Sequence, residues 1–338
     1  MKATITAIAH AVPPDVYDNP WFEGKIETTD EWIQTRTGIR ERHFAADGQG
    51  VTDIILPAAE EVLRRRGITA ADIDCIILCT VTPDRIFPSS AAILQRKLGA
   101  VNAWGFDLAA ACSGFVYGIY TASKLIESGA VRNVLLCGGD KMSAIVDFTD
   151  RATCVLFGDG AGVVLLEPSD DDGVGIMDAI LKMDGNGEQH LYQKAGGSMR
   201  PPSAETVANR EHYVYQEGQS VFKAAVKGMA DVSFEIMKRN NLTADDVSWL
   251  VPHQANLRII DATAEHMGLS KEKVMVNIER YGNTTSGTIP ICMSELYDAG
   301  KLRRGDNLVL ASFGAGYTWG AVLVRWGLPL KQSTETTS

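Results

Sequence analysis

The sequence predicts an α/β protein made of two similar halves. Residues 67–78 and 241–252 resemble each other at a fixed offset in residue number (241 − 67 = 174). The same offset aligns two further pairs of segments, 61–65 with 235–239 and 133–136 with 307–310. Each copy has the pattern of an amphipathic helix, a Thr-x-x-Asp turn and a short apolar strand. A constant offset near half the chain length favours duplication of one α/β unit.

The elements of each copy follow from hydrophobic spacing. Before the first turn, apolar residues recur at helical intervals; they are Ile55, Leu56, Ala59, Val62 and Leu63. After the turn, residues 75–79 form a continuous apolar run, typical of a strand covered on both faces. We predict an N-terminal half over residues 1–172, a C-terminal half over 173–330 and a mobile polar tail over 331–338.

Length and composition exclude several classes of protein. A chain of 338 residues is long enough for about two domains and a large core. With 45% hydrophobic and 22% charged residues, it has the composition of an ordinary globular protein. Its 32 basic and 42 acidic residues leave a net charge of −10, which argues against a nucleic-acid partner.

The sequence also predicts a cytoplasmic protein without a membrane segment. No run approaches the roughly 18 apolar residues of a membrane span, and the start lacks the pattern of a signal peptide. The six cysteines are scattered, mostly in apolar runs, which indicates buried thiols in a reducing compartment. No pair of histidines has metal-ligand spacing, so no metal site is expected.

Cys112 is the strongest candidate nucleophile. It follows a strand-like run, and a helix-like stretch continues from it through Ile126. At such a turn the helix dipole and free backbone N–H groups favour a thiolate. A buried structural thiol is the ordinary interpretation of a single cysteine. It fits the remaining cysteines, which are Cys75, Cys79, Cys137, Cys154 and Cys292.

His253 and Asn283 are the other candidates for chemistry. His253 follows the strand-like residues 249–252 and is predicted to open a helix that ends before Gly268. Functional groups of α/β folds cluster at the carboxyl ends of strands. Asn283 lies in a Gly- and Thr-rich loop, where by itself it would be a turn residue or a helix cap.

Two Gly-rich segments have different interpretations. Residues 312–320 can bring backbone N–H groups close to a substrate oxygen. Residues 157–162 look like a phosphate loop, but a strand-like run rather than a helix follows them. Dinucleotide binding is therefore rejected.

Cys112, His253 and Asn283, in their motifs and order, resemble the thiolase-fold condensing enzymes, in particular the β-ketoacyl-acyl-carrier-protein synthase III family. The resemblance runs from the N-terminal strand to about Trp326 and includes residues 28–43 and the pair Asp150-Arg151. Related elongating synthases use two histidines, and biosynthetic thiolases use a second cysteine. Plant-type polyketide synthases share the triad but are usually longer.

The resemblance implies a thiolase fold, in which two βαβ-type halves form a five-layered αβαβα sandwich, and a homodimer. It implies an acyltransferase without a cofactor whose substrates are acyl-CoA and malonyl-acyl-carrier protein. Cys112 would store the acyl group, and His253 and Asn283 would stabilise the enolate left when malonyl loses carbon dioxide. The backbone N–H groups of Cys112 and Ala315 would form the oxyanion hole, although many members have Gly in place of Ala315.

Further residues receive roles only through the resemblance. It implies CoA binding by Trp32, Arg36, Arg151 and Asn256, an acyl pocket with Phe87 and Phe222, and carrier-protein docking at Lys223 and Arg258. Phe87 would enter the pocket of the dimer partner. Trp32 also has a plain interpretation as a packing residue of a helix capped at Thr28.

Two alternatives remain open on the sequence. The same fold and triad serve specialised acyltransferases and quinolone- or polyketide-type condensing enzymes. A non-catalytic acyl-CoA-binding scaffold is the other alternative, and the presence of Cys112 argues against it. The sequence does not define the preferred acyl starter.

Overall fold

The fold is taken from a computed structural model that describes residues 2–331. Its strands are β1 (Lys2–Ala11), β2 (Val16–Asp18), β3 (Glu41–His43), β4 (Cys75–Cys79), β5 (Trp104–Leu108), β6 (Val134–Asp140), β7 (Gly160–Ser169), β8 (Gly175–Met183), β9 (Leu191–Gln193), β10 (Val214–Gln216), β11 (Trp249–Pro252), β12 (Asn307–Gly314) and β13 (Thr318–Arg325). Its helices are α1 (Pro20–Glu23), α2 (Asp30–Thr37), α3 (Val51–Arg66), α4 (Ser90–Leu98), α5 (Gly114–Glu127), α6 (Ala204–Ala208), α7 (Gly218–Arg239), α8 (Leu257–His266), α9 (Ile278–Tyr281) and α10 (Thr288–Asp298).

Two mixed sheets organise the chain. The first has the order β1-β7-β6-β4-β5, in which β6, β4 and β5 run parallel. The second has the order β11-β12-β13-β8, in which β11 and β12 run parallel. Because the carboxyl ends of parallel strands meet at one sheet edge, the loops after β4, β5 and β6 lie together, as do those after β11 and β12.

Helices cover both sheets and fill the space between them. Helices α3 and α4 pack on the outer face of the first sheet through an aliphatic cluster that includes Ile55, Val62 and Leu94. Helices α5 and α10 lie between the sheets, with Phe115 and Leu296 in the central cluster. Helices α7 and α8 pack on the outer face of the second sheet. The result is the predicted five-layered αβαβα sandwich.

The predicted duplication is confirmed in three dimensions. Strands β4 and β11 begin at the offset seen in the sequence (249 − 75 = 174), and helices α5 and α10 do the same (288 − 114 = 174). Two 3₁₀ turns, Ala111–Ser113 and Thr285–Gly287, precede these helices at the same offset. The copies differ at one edge: the position equivalent to β5 holds only an isolated parallel bridge between Leu250 and Val274.

The first sheet ends with β7 at Ser169, and the second begins with β8 at Gly175. The division predicted between residues 172 and 173 falls between these two strands. The predicted mobile tail lies outside the described residues, apart from Lys331. The Lys331 ammonium is 2.6 Å from a carboxylate oxygen of Asp298.

Two local expectations were wrong. Helix α2 is capped by Thr29, whose hydroxyl accepts from the Trp32 N–H at 3.1 Å, rather than by Thr28. Helix α8 begins at Leu257, so His253 lies in a connecting segment and does not open the helix. Asn256 supplies the cap there, because its side-chain oxygen accepts from the Arg258 N–H at 3.0 Å.

Candidate active site

One cavity of about 550 Å³ connects the predicted functional residues. Cys112, His253 and Asn283 line it together with Gly314. The same cavity is lined by most of the residues that the resemblance assigns to CoA and acyl binding: Trp32, Arg36, Arg151, Asn256 and Phe222. Arg258, which the resemblance assigns to carrier-protein docking, lines it as well. Residues from both halves of the chain therefore meet around one space.

Cys112 lies in the 3₁₀ turn that precedes α5, at the carboxyl end of β5. Ala111 has a positive φ of 47°, a conformation that a non-glycine residue adopts only at a steric cost. The Ser312 hydroxyl donates to the Cys112 carbonyl at 2.7 Å and ties the turn to β12. The turn thus holds the thiol at the cavity, where the residue is 8% exposed.

The expectation of an acidic thiol is not met. Burial raises the pKa of Cys112 to about 12, and the negative charge of Asp140 adds to the effect. Removal of the thiol from water outweighs the helix dipole because it penalises the charged form directly. The resting thiol is therefore neutral at physiological pH, and its attack on a substrate requires a proton acceptor.

His253 is neutral as well. Its imidazole is almost fully buried, and burial lowers its pKa to about 3. Neither ring nitrogen has a hydrogen-bond partner among residues 2–331. The backbone N–H donates to the Ala311 carbonyl at 2.8 Å, which extends the pairing of β11 with β12 and fixes the loop. A neutral imidazole offers one donor and one acceptor to the cavity.

Asn283 is held by its backbone and by its side-chain oxygen. Its N–H donates to the Leu156 carbonyl at 2.8 Å, and its own carbonyl accepts from the Gly158 N–H at 3.1 Å. The side-chain oxygen accepts from the Thr285 N–H at 2.9 Å. Because this bond occupies the oxygen, the amide N–H₂ is the group that remains to bind a substrate oxygen.

Cationic and aromatic groups lie together at Trp32. The Arg151 guanidinium is 4.9 Å from the centre of the Trp32 ring, and that of Arg36 is 6.0 Å away. Arg151 also donates to the Glu27 carbonyl at 2.9 Å. The Asn256 amide donates to the Arg36 carbonyl at 2.8 Å and so joins the start of α8 to the end of α2. An adenine ring between Trp32 and Arg151 would require them to move apart.

The remaining predicted residues are more dispersed. The Arg258 guanidinium lies 4.7 Å from the Phe222 ring centre, and both residues line the cavity. Lys223 is exposed on α7, outside the cavity lining. Phe87 is 82% exposed and also lies outside it. Ala315 follows Gly314 in the turn after β12, half-buried, but it does not line the cavity.

Sequence reasoning missed two residues beside the nucleophile. A Cβ on Gly314 would lie 2.7 Å from the Cys112 nitrogen, so only glycine fits there without a backbone shift. Asp140 is fully buried at the end of β6, and its negative charge acts on Cys112. A signal was present for Asp140, because a charged residue at the end of an apolar strand-like run is a candidate functional group.

The described residues bear on two further expectations. Across residues 2–331, no three or more His, Cys, Asp or Glu side chains are grouped so that they could hold a metal ion. No helix in this range is both long and apolar enough to cross a membrane. The Gly-rich residues before β7 lead into that strand, as predicted.

Family models match two parts of the chain. The model for 3-oxoacyl-[acyl-carrier-protein] synthase III matches residues 106–185, and the model for its C-terminal region matches residues 237–326. A beta-ketoacyl-[acyl-carrier-protein] synthase III from Chlorobaculum tepidum is 56% identical over 96% of this chain and all of the relative. One from Koribacter versatilis is 52% identical over 96% of this chain and 98% of the relative.

Solved structures agree with these relatives. The 3-oxoacyl-[acyl-carrier-protein] synthase III of Aquifex aeolicus has a TM-score of 0.88 at 40% identity, covering 96% of this chain and all of its own. The Pseudomonas aeruginosa protein of the same description has a TM-score of 0.89 at 36% identity, covering 98% and 100%.

The duplicated five-layered fold, with a cysteine, a histidine and an asparagine around one cavity, defines a thiolase-fold condensing enzyme. Within that class, the chain belongs to the beta-ketoacyl-[acyl-carrier-protein] synthase III family.

Proposed function

We propose that this chain joins the acyl group of an acyl-CoA to malonyl-acyl-carrier protein, with Cys112, His253 and Asn283 as its catalytic residues. Family membership makes the chain an acyltransferase, the initiating condensing enzyme of fatty-acid synthesis. The observation that carries the proposed roles is that a thiol, a neutral imidazole and an oriented amide line one cavity.

The first half of the reaction transfers the acyl group to the enzyme. The Cys112 thiol gives its proton to the neutral His253 ring, and the sulfur attacks the thioester carbonyl carbon. The carbon–sulfur bond to CoA then breaks, and the leaving CoA thiolate takes the proton from His253. The N–H groups of Cys112 and Ala315 stabilise the negative oxygen of the tetrahedral intermediate.

The second half forms the carbon–carbon bond. Malonyl-acyl-carrier protein loses carbon dioxide, and the electron pair of the broken bond becomes an enolate. His253 and the Asn283 amide donate hydrogen bonds to the enolate oxygen, each such donor being worth roughly 3–4 kcal/mol. The enolate carbon attacks the acyl carbonyl, and the Cys112 thiolate leaves and takes a proton from water. Loss of carbon dioxide drives the step, so no cofactor is required.

The rest of the cavity serves the two substrates. Trp32 and Arg151 bind the adenine of CoA, with Arg36 and Asn256 as further contacts. Phe222 forms part of the acyl pocket, beside Val221, Met229 and Phe313, which also line the cavity. Lys223 and Arg258 form a local basic patch for the acidic carrier protein, which a chain of net charge −10 would otherwise repel.

The chain acts as a homodimer formed along β5. This strand is the edge of the first sheet, and within residues 2–331 it pairs only with β4. Trp104 on β5 is 51% exposed, and Ile86 and Phe87 are exposed in the loop after β4. An exposed apolar edge strand favours pairing with a second chain. Phe87 would then be covered by the partner and complete its acyl pocket.

A cytoplasmic location is proposed from the state of the cysteines. All six are free and buried, an arrangement that fits a reducing compartment.

The test is the mass of the acyl-carrier protein after malonyl-carrier protein, the enzyme and acetyl-CoA have been incubated together. We expect the acetoacetyl form with the wild-type enzyme and no shift with Cys112→Ala. A mass that stays unchanged with acetyl-CoA and with longer and branched acyl-CoAs would overturn the proposal. It would favour an acyltransferase that uses a different acceptor.

A further inference from the structure

Asp140 is a buried carboxylate between the loop after β4 and the turn that follows Asn283. It ends β6 and is fully buried. No Lys, Arg or His side chain of residues 2–331 lies within 4.0 Å of its oxygens. A buried charge without a counter-ion is costly unless hydrogen bonds satisfy it. Its neutral donors come from two different loops.

The Oδ1 oxygen binds the loop after β4. It accepts from the N–H groups of Val81 at 2.7 Å and Thr82 at 3.1 Å. The hydroxyls of Thr80 and Thr82 donate to it at 2.8 and 2.9 Å. This loop continues to Phe87, so Asp140 fixes the base of the segment that we assign to the dimer interface.

The Oδ2 oxygen binds the turn that follows Asn283. The hydroxyls of Thr285 and Ser286 donate to it, the latter at 3.0 Å, and the Ser286 backbone nitrogen lies 3.4 Å away. Thr285 in turn donates its own N–H to the Asn283 side-chain oxygen. Asp140 therefore reaches the Asn283 amide through a single intervening residue.

We propose that Asp140 is a positioning residue that orients the Asn283 amide through Thr285. The proposal rests on the function proposed above, since Asn283 acts there on the enolate. Asp140 touches no substrate in this scheme. It supports decarboxylation through Asn283 and opposes formation of the thiolate at Cys112.

The charge of Asp140 also affects a second measurable quantity, the reactivity of the Cys112 thiol. Asp140 raises the pKa of Cys112 in addition to the effect of burial. His253 lines the cavity with Cys112. Burial raises the pKa of the Cys79 thiol on β4 as well, and the Asp140 charge, together with Asp107 and Cys137, adds to that effect. The His253 ring is neutral and therefore does not offset the effect of the Asp140 charge on Cys112. Removal of its charge should make the thiol more reactive.

The internal duplication supports the assignment. The position equivalent to Asp140 in the second half is Gly314, at the same offset in residue number (314 − 140 = 174). Gly314 faces the Cys112 turn, and Asp140 faces the equivalent turn at Ser286. At this position the second half therefore has Gly314, which leaves space next to Cys112. The first half has Asp140, which hydrogen-bonds to the turn at Ser286.

The experiment compares condensation with alkylation of Cys112 by iodoacetamide across a pH series, using the full-length enzyme. Asp140→Asn places an amide nitrogen where Oδ2 accepts hydrogen bonds and removes the charge. We expect the condensation kcat to fall about 10- to 100-fold, less than the roughly 10²- to 10³-fold loss on removal of an oxyanion donor, because the Asn283 amide remains. We expect alkylation of Cys112 at pH 8 to become faster, by about threefold or more.

Thr285→Ala is the matched variant, because it removes the hydroxyl that donates to Asp140 but keeps the backbone N–H that donates to Asn283 and the charge of Asp140. Its condensation rate should fall, while the pH profile of its alkylation stays that of the wild type. This variant also carries the test if Asp140→Asn does not fold, which circular dichroism would reveal.

Parallel loss of condensation and alkylation in both variants would reduce Asp140 to a structural residue and overturn the proposal. Unchanged rates in both would do the same. Failure of the proposed function has a separate signature, because the wild-type enzyme would then give no 3-oxoacyl product in the same assay.

Discussion

The two 3₁₀ turns Ala111–Ser113 and Thr285–Gly287 share one backbone and have different surroundings. Ala111 and Thr285 occupy equivalent positions in the two halves, and both have positive φ, 47° and 51°. Cys112 in the first turn lines the cavity, whereas Ser286 in the second lies 3.0 Å from Asp140 and 2.7 Å from the Cys79 carbonyl. The two halves therefore contain the same turn, and the side chains around each turn determine whether its central residue can react with substrate.

The largest predicted effect distinguishes these two turns. Cys112→Ala removes the only group in our mechanism that can hold the acyl chain, so condensation should fall at least about 10³-fold. Ser286→Ala removes a buried hydroxyl that bonds to the Cys79 carbonyl and to Asp140 but does not line the cavity, so activity should fall far less than in Cys112→Ala. Steady-state assays of both variants, with thermal unfolding to confirm that they fold, check the difference. Equal losses would contradict the division of roles.

Asn283 provides the next test, because its equivalent in the first half is Ala109 (283 − 174). Asn283→Ala makes the two halves alike at this position. We expect the condensation kcat to fall about 10²- to 10³-fold, as for loss of one oxyanion donor.

Acylation of Cys112 by acyl-CoA serves as the internal control, since Asn283 takes no part in that step. Intact-protein mass spectrometry without malonyl-carrier protein measures it. A parallel loss of acylation in Asn283→Ala would show that Asn283 acts on the first half-reaction or only on the fold.

Gly314→Ala tests the space beside the nucleophile. The added methyl group would meet the Cys112 nitrogen at 2.7 Å and the Ser113 nitrogen at 3.1 Å, so the turn must move. We expect a loss of about 1–3 kcal/mol in the free energy of unfolding. The acylation rate should fall about tenfold or more, because small displacements of a reacting group are costly.

Gly67→Ala is the matched control for stability, because nothing lies within 4 Å of a Cβ there, although its φ of +74° adds strain. It should lower the free energy of unfolding without slowing the acylation of Cys112. Equal effects of both variants on acylation would contradict a special role for Gly314.

Trp32 lines the cavity, so Trp32→Ala should weaken binding of acyl-CoA. Loss of a stacking surface near two guanidinium groups is worth about 1–2 kcal/mol, or roughly a tenfold rise in KM. The kcat at saturating acyl-CoA should stay within about twofold of the wild type. An unchanged KM would favour the plain interpretation of Trp32 as a packing residue.

The last test concerns His253, whose equivalent in the first half is Cys79 (253 − 174). Because its pKa is lowered to about 3 in the folded state, the unfolded chain binds more protons between about pH 3 and 6.5. His253 therefore makes stability fall as the pH drops below about 6.5, by up to about 1.4 kcal/mol per pH unit. Denaturant unfolding of wild type and His253→Gln at pH 7 and pH 5 measures this contribution. A wild-type pH dependence equal to that of the variant would contradict a buried neutral imidazole.

Much of the fold could be predicted because the duplication is still detectable as sequence similarity between the two halves. The Thr-x-x-Asp turns and the apolar runs repeat at one offset, and they define β4, β11 and the helices before them. The lack of a β5 counterpart could not be predicted. It depends on the chain near Val274 forming a single bridge with Leu250, which no propensity encodes.

The site was predicted unevenly. Cys112, His253 and Asn283 each follow a strand or lie in a distinctive loop, so the sequence alone could indicate them as candidate functional residues. The neutral state of Cys112 was not readable, because it depends on burial and on Asp140, which belongs to a different strand from the one before Cys112. The role of Gly314 likewise depends on a distance across the two halves, which appears only when they pack together.

The central claim is that only one of the two equivalent turns carries the acyl group, and its location can be measured directly. The enzyme would be incubated with acetyl-CoA alone, digested, and its peptides mapped by mass spectrometry. The account predicts a single acetyl group on the peptide that contains Cys112, and none with Cys112→Ala. Acetylation of the Ser286 peptide or of another cysteine, or a Cys112→Ala enzyme that is still acylated, would contradict it.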